Sequence, residues 1–170
     1  VPAETLCIEL TETAMLEDTE RARDILCDLH RLGVKIALDD FGTGYSSISL
    51  LNRLPISRIK IDRSFIRNIP SSARDRRIVR GMAEIARALD ADLLAEGVEV
   101  AEQTDSLQDL GFSNAQGFLF ARALPAAAFL ERIEAQRHDP ALAVHRSWHC
   151  RAPARPASRS GPRQGPPYID

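Results

Sequence analysis

The apolar and polar positions of the first 136 residues alternate with two different periods. Short runs of period two predict β-strands at residues 5–10, 34–40, 57–62, 92–98 and 114–120. Apolar residues three and four positions apart predict helices at residues 19–33, 46–54, 73–90, 101–111 and 125–136. In the helix at 73–90, the predicted buried side consists of Ile78, Met82, Ile85 and Leu89. Strands that alternate with helices predict an α/β fold built from parallel βα units.

Ionisable side chains lie at or near the C-terminal end of four of the predicted strands. Successive side chains of a strand point to opposite faces, so each of these groups lies opposite the more aliphatic face of its strand. The groups are Glu9, Asp39, Lys60 with Asp62, and Glu96. A βα barrel builds its active site at the C-terminal ends of its strands. These side chains are therefore the candidate functional residues.

The segment DDFGTGYSS places two adjacent aspartates, Asp39 and Asp40, before two glycines. Adjacent strand residues point apart, so the two carboxylates reach one target only if the backbone turns where the strand ends. Gly42 and Gly44 permit such a turn, because glycine accepts backbone angles that other residues resist. The sequence alone leaves open whether this is a ligand site or an ordinary polar strand end.

Carboxylates that converge in one pocket repel one another and raise some of their pKa values unless cations lie among them. Glu9, Asp39, Asp40 and Glu96 offer oxygen ligands without His or Cys, which favours Mg²⁺ or Mn²⁺. Two such ions, about 3.5 to 4 Å apart, suit displacement at a phosphodiester. Lys60 is predicted to hold the attacking water, or to accept its proton if its pKa is lowered. The alternative for Lys60 is a structural ion pair.

Composition and charge narrow the class of protein. The chain has 170 residues, 44% of them hydrophobic, and a formal net charge of -2, so no DNA binding is expected. Cys7, Cys27 and Cys150 form no CxxC pair, which indicates neither a disulfide framework nor a zinc site and favours a cytoplasmic location. No apolar run reaches the roughly 18 residues of a membrane span. Because the first residue is valine, we expect a piece of a longer protein, whose upstream segments could anchor it in a membrane.

The composition changes after residue 136. Residues 137–170 are rich in Arg, Pro, Ser and Gly without apolar periodicity, which predicts a disordered tail beside a domain at residues 1–136. His145, His149 and Cys150 have the spacing of a helical metal site. The prolines and arginines around them oppose a stable helix, so a solvated end is the preferred interpretation.

Five segments together resemble the EAL domain of bacterial cyclic di-GMP phosphodiesterases. They are ELTET, DDFGTGYSS, LPISRIKIDRSFI, AEGVE and AQGFLF, and the resemblance covers roughly residues 1–132. It implies a modified (β/α)8 TIM-like barrel, of which this chain holds the C-terminal part without the N-terminal strands. It also implies an enzyme that hydrolyses cyclic di-GMP to linear pGpG with two Mg²⁺ or Mn²⁺ ions.

The resemblance assigns a role to each matching residue. It implies metal ligation by Glu9, Asp39, Asp40 and Glu96, with Asp39 bridging both ions. Lys60 would position or deprotonate the water, Asp62 would be a partner of Lys60, and Gln116 would support the substrate and water. Glu12 would anchor the loop at residues 41–47, which begins with Phe41, Gly42, Thr43 and Gly44. In the family this loop couples dimerisation to catalysis, which implies a possible homodimer.

Two metal ligands of the family lie upstream of the position of Glu9 and are not in this sequence: the glutamate of the EAL motif and an asparagine. We therefore expect the isolated chain to be inactive, and a parent protein with an upstream sensor or cyclase domain. One alternative is a non-catalytic receptor for cyclic di-GMP or a protein partner. A second is an unrelated lysine barrel, either a Schiff-base aldolase that uses Lys60 or an enolase-like enzyme with one metal.

Overall fold

A computed structural model describes residues 2–14, 19–44 and 48–138. The strands are β1 (Cys7–Thr11), β2 (Lys35–Phe41), β3 (Arg58–Ile61), β4 (Asp92–Ala95) and β5 (Asn114–Ala115). The helices are α1 (Thr19–Arg31), α2 (Ile48–Leu51), α3 (Arg63–Ile66), α4 (Ala73–Ala88), α5 (Ala101–Asp109) and α6 (Ala126–His138), and a 3-10 turn covers Ala3–Thr5. No helix within these ranges is both long enough and apolar enough to cross a membrane.

The strands form one parallel sheet whose order follows the sequence, β1-β2-β3-β4-β5. Helices connect the strands, so each connection is a βα unit of the kind that builds a barrel. Among the described residues, β1 and β5 each pair with one neighbouring strand. This confirms the predicted α/β fold and its partial barrel.

The core lies between the central strands and the helices that cover them. Its centre consists of the fully buried side chains Ile36, Leu38, Ile59 and Ile61. The buried side of α4 consists of Val79, Met82, Ala83 and Ala86. The predicted side was therefore only partly correct, because Ile78 is 36% exposed and two alanines face the core. Small residues allow the helix to approach the sheet closely, and a pattern weighted by large side chains overlooks them.

Several predicted elements differ from those of the structure; the strand predicted at residues 92–98, for example, ends at Ala95. The strand predicted at residues 114–120 ends at Ala115. A side chain at Gly117 would overlap the backbone of Val98, so the segment after β5 packs directly against the segment after β4. Helix α3 was not predicted, and it begins where the carboxylate of Asp62 accepts a hydrogen bond from the backbone N–H of Ser64 at 2.9 Å. A side-chain acceptor at this position stabilises the first turn of a helix.

The expected tail begins near the limit of the described residues. Helix α6 continues to His138. The candidate metal residues His145, His149 and Cys150 lie outside the described ranges, as do residues 45–47 of the loop. Predictions about these residues therefore remain predictions.

Candidate functional site

One ammonium group joins three strands at the C-terminal edge of the sheet. Lys60 of β3 is 5% exposed. Its Nζ lies 2.8 Å from Oε2 of Glu9, 2.8 Å from Oδ1 of Asp39 and 2.8 Å from Oε1 of Glu96. These carboxylates come from β1, from β2 and from the residue that follows β4. The parallel register thus brings together residues that are far apart in the sequence.

The two adjacent aspartates reach the same region through a β-bulge. Leu38 pairs with Ile59 and Phe41 pairs with Ile61, so β2 has one residue more than β3 between these pairs. Asp40 has a φ of 54°, in the left-handed region that non-glycine residues rarely adopt. A bulge of this kind re-aims side chains. The turn expected at the glycines therefore starts earlier, at Asp40, and it ends the alternation that would send the two carboxylates to opposite faces.

The bulge creates a compact group of oxygen ligands, which we call the acidic group. Asp39, Asp40 and Glu96 each offer a carboxylate oxygen, and these oxygens lie within 4.8 Å of one another. Glu9 is outside this group and is linked to it through Lys60. Its side chain is 51% exposed, whereas those of Asp39 and Glu96 are 22% and 16% exposed. A set of carboxylate oxygens without nitrogen or sulfur fits a hard divalent cation.

The electrostatics of this group also favour a cation. Burial raises the pKa of Asp40, and the negative charges of Asp39 and Asp62 raise it further. Burial also raises the pKa of Glu96, although its hydrogen bond from Lys60 acts in the opposite direction. Both carboxylates are thus held together at an electrostatic cost, which an additional positive charge would reduce.

The condition for Lys60 to accept a proton, a lowered pKa, is not met among the described residues. Burial by itself lowers the pKa of Lys60, but hydrogen bonds to Asp39, Glu9 and Glu96 outweigh burial and raise it above its ordinary value of 10.5. The ammonium is therefore charged at neutral pH. Lys60 thus neutralises the carboxylates that surround it.

Glu12 holds the loop that follows β2. Its side chain is 4% exposed, and its carboxylate accepts hydrogen bonds from the backbone N–H of Gly42 at 3.2 Å and from that of Gly44. Phe41 is buried, and the Thr43 hydroxyl donates to the carbonyl of Asp40 at 2.9 Å. A buried carboxylate with two backbone donors fixes the loop against β1. This arrangement is the contact that the resemblance implied for Glu12.

The other two predicted residues have different surroundings. Gln116 donates a hydrogen bond from Nε2 to Oε1 of Glu96 at 2.7 Å, so it contacts the acidic group directly. Asp62 is not among the carboxylates within 4 Å of Lys60 in the described ranges, and it binds the backbone of Ser64 instead. The expected partnership of Asp62 with Lys60 is corrected accordingly. Asp62 acts on the site through its charge, which helps to raise the pKa of Asp40.

An open cleft of about 680 Å³ adjoins the acidic group. Asp40, Glu96 and Gln116 line one part of it, while Arg63 and Phe118 line another. The Arg122 guanidinium lies 4.3 Å from the centre of the Phe118 ring. The sequence analysis overlooked Arg63 and Phe118 as site residues. The available signal was position, because Arg63 follows closely after β3, which carries Lys60, and Phe118 lies two residues after Gln116.

Comparison with known proteins agrees with this geometry. The model of the EAL domain family matches residues 1–123. The cyclic di-GMP phosphodiesterase NbdA of Pseudomonas aeruginosa is 42% identical over 134 residues, which are 79% of this chain and 17% of NbdA. The chain thus spans about a fifth of the length of the curated relatives that it matches.

Two solved structures extend the comparison. The EAL domain of Mycobacterium smegmatis DcpA is 39% identical, with a TM-score of 0.75 over 79% of this chain and 60% of that one. Klebsiella pneumoniae BlrP1, solved as a manganese and cyclic di-GMP complex, is 38% identical, with a TM-score of 0.67 over 72% of this chain and 31% of that one. The family match, the parallel sheet and the acidic group agree, and the chain belongs to the EAL domain family.

Proposed function

We propose that this chain forms the C-terminal part of an EAL domain that hydrolyses cyclic di-GMP to linear pGpG. Water adds to one phosphorus atom, the bond from that atom to the 3′ oxygen breaks, and the leaving oxygen takes a proton. The observation that carries the proposal is the Lys60 ammonium among Glu9, Asp39 and Glu96, next to the carboxylate of Asp40. Relatives named as cyclic di-GMP phosphodiesterases support the reaction class.

The proposed metal ligands are Glu9, Asp39, Asp40 and Glu96, for two Mg²⁺ or Mn²⁺ ions. Bound ions of this type polarise a phosphodiester and supply a nucleophilic oxygen at neutral pH. The close carboxylate oxygens of Asp39, Asp40 and Glu96 support this assignment. The manganese in the BlrP1 complex supports the choice of metal.

Lys60 and Gln116 are proposed to act on the water and the substrate. Lys60 positions the attacking water and offsets negative charge, a role that its contacts of 2.8 Å with Glu9, Asp39 and Glu96 support. Gln116 orients Glu96 through their hydrogen bond of 2.7 Å and offers its remaining amide positions to the substrate. The cleft of about 680 Å³ that adjoins both Glu96 and Gln116 provides space for a dinucleotide.

The loop after Asp40 is proposed to form part of a homodimer contact and to transmit it to the site. The two hydrogen bonds from the loop to Glu12 support this role, because they couple the position of the loop to β1.

We further propose a domain boundary near residue 136, a cytoplasmic location and an upstream sensor or cyclase domain. The free thiols of Cys7 and Cys27 support the reducing location.

The isolated chain is proposed to be inactive in hydrolysis, although its acidic group binds metal. β1 has one paired edge among the described residues. Glu9, the ligand on β1, is half exposed and is linked to the acidic group only through Lys60. In a complete domain, the upstream glutamate and asparagine would complete the set of metal ligands. A receptor without catalysis would lack one of these two upstream residues.

The first test measures Mn²⁺ binding to this chain by electron paramagnetic resonance. Asp39→Asn removes one ligand charge and should weaken the tightest Mn²⁺ binding by about tenfold or more. Asp92→Asn is the matched control, because Asp92 is an aspartate of the same sheet at its opposite end, paired to Arg58 at 3.6 Å. Equal affinities for wild type and both variants would refute the metal site.

The second test uses cyclic di-GMP with the parent protein and with this chain, and follows pGpG by chromatography. The parent should produce pGpG in Mn²⁺, and Lys60→Ala should abolish turnover while leaving dinucleotide binding nearly unchanged. This chain alone should produce no pGpG. Binding without turnover in the parent would identify a receptor, and turnover by this chain alone would refute the expected inactivity.

A further inference from the structure

A buried amide connects two segments that carry site residues. Gln103 is the third residue of α5, and it is 3% exposed. Its Oε1 accepts hydrogen bonds from the backbone N–H of Glu99 at 2.7 Å and of Val100 at 3.1 Å. Its Nε2 donates to the carbonyl of Ile66 at 3.4 Å and to that of Arg67 at 3.3 Å. Every polar atom of this side chain therefore has a partner.

The four partners belong to two segments that each contribute residues to the cleft. Glu99 and Val100 belong to the segment that leaves β4 with Glu96. Ile66 and Arg67 lie at the end of α3, the short helix that begins directly after Asp62. The side chains of Arg63 and Glu99 both line the cleft. Gln103 thus fastens the segment after β4 to the segment after β3.

The backbone between these fastened points leads to the acidic group. The N–H of Glu96 donates to the carbonyl of Ile61 at 3.1 Å, so the two segments are in contact next to Lys60. Gly97 packs so closely against Arg63 that a side chain at position 97 would overlap the Cβ of Arg63. The segment that begins at Glu96 is therefore joined to α3 at two places. One is Gly97, directly after Glu96, and the other is the side chain of Gln103, farther along the chain.

We propose that Gln103 is a positioning residue for the active site. It holds Glu96 within reach of Lys60 and Asp39 by fixing the segment after β4 to α3. Its four hydrogen bonds all join backbone atoms, so its effect on Glu96 is transmitted through the backbone. The part of this inference that concerns metal binding rests on the proposed function, whereas the part that concerns the Glu96–Lys60 contact does not.

A purely structural role for Gln103 is also conceivable. A glutamine at the third position of a helix commonly accepts a hydrogen bond from the backbone N–H at the helix start, and Gln103 does so at Val100. The two roles depend on different atoms of the amide. Stabilisation of the helix start uses Oε1, whereas fastening to α3 uses Nε2.

Two substitutions separate these roles. Gln103→Met removes both sets of hydrogen bonds at a similar side-chain length. Gln103→Glu retains an acceptor for Glu99 and Val100 but has no donor for the carbonyls of Ile66 and Arg67. The matched control is Ser106→Ala, on the same helix. Ser106 is 6% exposed, donates to the carbonyl of Glu102 and accepts from Arg76, and its contacts do not involve the cleft.

The first measurement is an NMR spectrum of this chain with ¹⁵N-labelled lysine. The chain contains only two lysines, Lys35 and Lys60, so the two side-chain signals are assigned by one Lys35→Met variant. Both Gln103 variants should shift or broaden the Lys60 ammonium signal, because Glu96 moves relative to it. The Lys35 signal is the internal reference. Ser106→Ala should leave both signals unchanged.

The second measurement is Mn²⁺ affinity by electron paramagnetic resonance. Both Gln103 variants should bind Mn²⁺ about tenfold more weakly than wild type, which is the usual effect of losing a group that supports a ligand. The added charge of Gln103→Glu would by itself strengthen cation binding, so a weaker affinity in that variant cannot come from charge. Ser106→Ala should retain the wild-type affinity.

The outcomes distinguish the inference from the proposed function. Wild-type values for Gln103→Glu in both measurements would reduce Gln103 to a helix-capping residue and overturn the inference. If Gln103→Met does not fold, Gln103→Glu decides the question alone. A wild-type chain that binds no Mn²⁺ would refute the proposed metal site, while the Lys60 signal would still test the positioning role.

Discussion

The two ends of the parallel sheet contain similar charged residues, but they arrange them differently. At the C-terminal edge, one 5% exposed lysine contacts three carboxylates at 2.8 Å each. The N-terminal edge has a cleft of about 400 Å³ that is lined by Glu4, His30, Lys35, Arg58, Asp90 and Asp92. Its ion pair, between Arg58 and Asp92, is 3.6 Å long, with side chains 30% and 43% exposed. Convergence and burial, rather than composition, therefore distinguish the candidate site.

Strand β3 shows the contrast within three residues. Arg58 and Lys60 lie two positions apart, so their side chains point to the same face of the sheet. Lys60 meets the bulge of β2 and the end of β4, whereas Arg58 meets the start of β4. The buried Nε of Arg58 has no hydrogen-bond partner. The same face of one strand thus carries a fully paired cation at one end and a partly paired cation at the other.

The largest expected effect is that of Lys60→Met. Removing the ammonium leaves Asp39 and Glu96 next to each other without a counter-charge, and breaking a buried ion pair of this kind costs about 3 kcal/mol. Urea denaturation at neutral pH measures this free energy of unfolding. Lys35→Met is the control at the opposite end and should cost less than about 0.5 kcal/mol. Equal costs for the two substitutions would contradict the difference between the two edges.

Gly42→Ala should have the next largest effect. Gly42 has a φ of +98°, and an added methyl group would overlap Met82 and Phe65, so we expect a loss of about 2 to 3 kcal/mol. Gly33→Ala is the matched control, because Gly33 has a φ of +96° at the N-terminal edge but faces the flexible side chain of Glu4. Thermal unfolding should show a clearly smaller loss for Gly33→Ala. If Gly33→Ala loses as much stability as Gly42→Ala, the cost at both positions comes from the positive φ and not from the neighbours of Gly42.

Glu12→Gln should have a moderate effect on stability. The amide can accept the hydrogen bond of Gly42 or that of Gly44, but its NH₂ group cannot replace the second carboxylate oxygen. One buried backbone N–H then loses its partner, which costs about 1 to 2 kcal/mol. Faster hydrogen exchange at the Gly42 and Gly44 amides would localise the change to the loop. Exchange rates identical to wild type would show that Glu12 does not hold the loop.

Arg58→Met should have the smallest effect. Its ion pair with Asp92 is long and partly exposed, and such pairs contribute at most about 1 kcal/mol. Burial of its unpaired Nε opposes even that contribution. Chemical denaturation should therefore give a stability within about 0.5 kcal/mol of wild type. A loss near that of Lys60→Met would show that the N-terminal edge is held together as tightly as the C-terminal edge.

The sequence was sufficient to predict the parallel α/β fold, because each strand and helix has its own period of apolar residues. It also identified the residues that meet at the C-terminal edge. It did not reveal the bulge at Asp40, because a bulge depends on the pairing of β2 with β3 rather than on local sequence. For the same reason, the sequence left open the direction in which the pKa of Lys60 is shifted. Burial was anticipated, but the number of carboxylates that bind the ammonium was not.

Gln103 illustrates a further limit of sequence analysis. In the sequence it is one polar residue of an amphipathic helix, and its distance of 36 and 37 residues from its partners Arg67 and Ile66 conceals their contact. The close approach of Gly117 to the backbone of Val98 was missed as well, because these two residues are also distant in sequence. Contacts of this type depend on where the helices and loops lie in three dimensions.

The three-way contact of Lys60 has a consequence for how the protein matures. The ammonium acts as a built-in counter-ion that holds the three carboxylates together. At the proposed metal site, cation uptake would then be an exchange, in which incoming ions take over carboxylates from a side chain that is already in place. The occupancy of that site would follow the supply of metal rather than the assembly of the sheet.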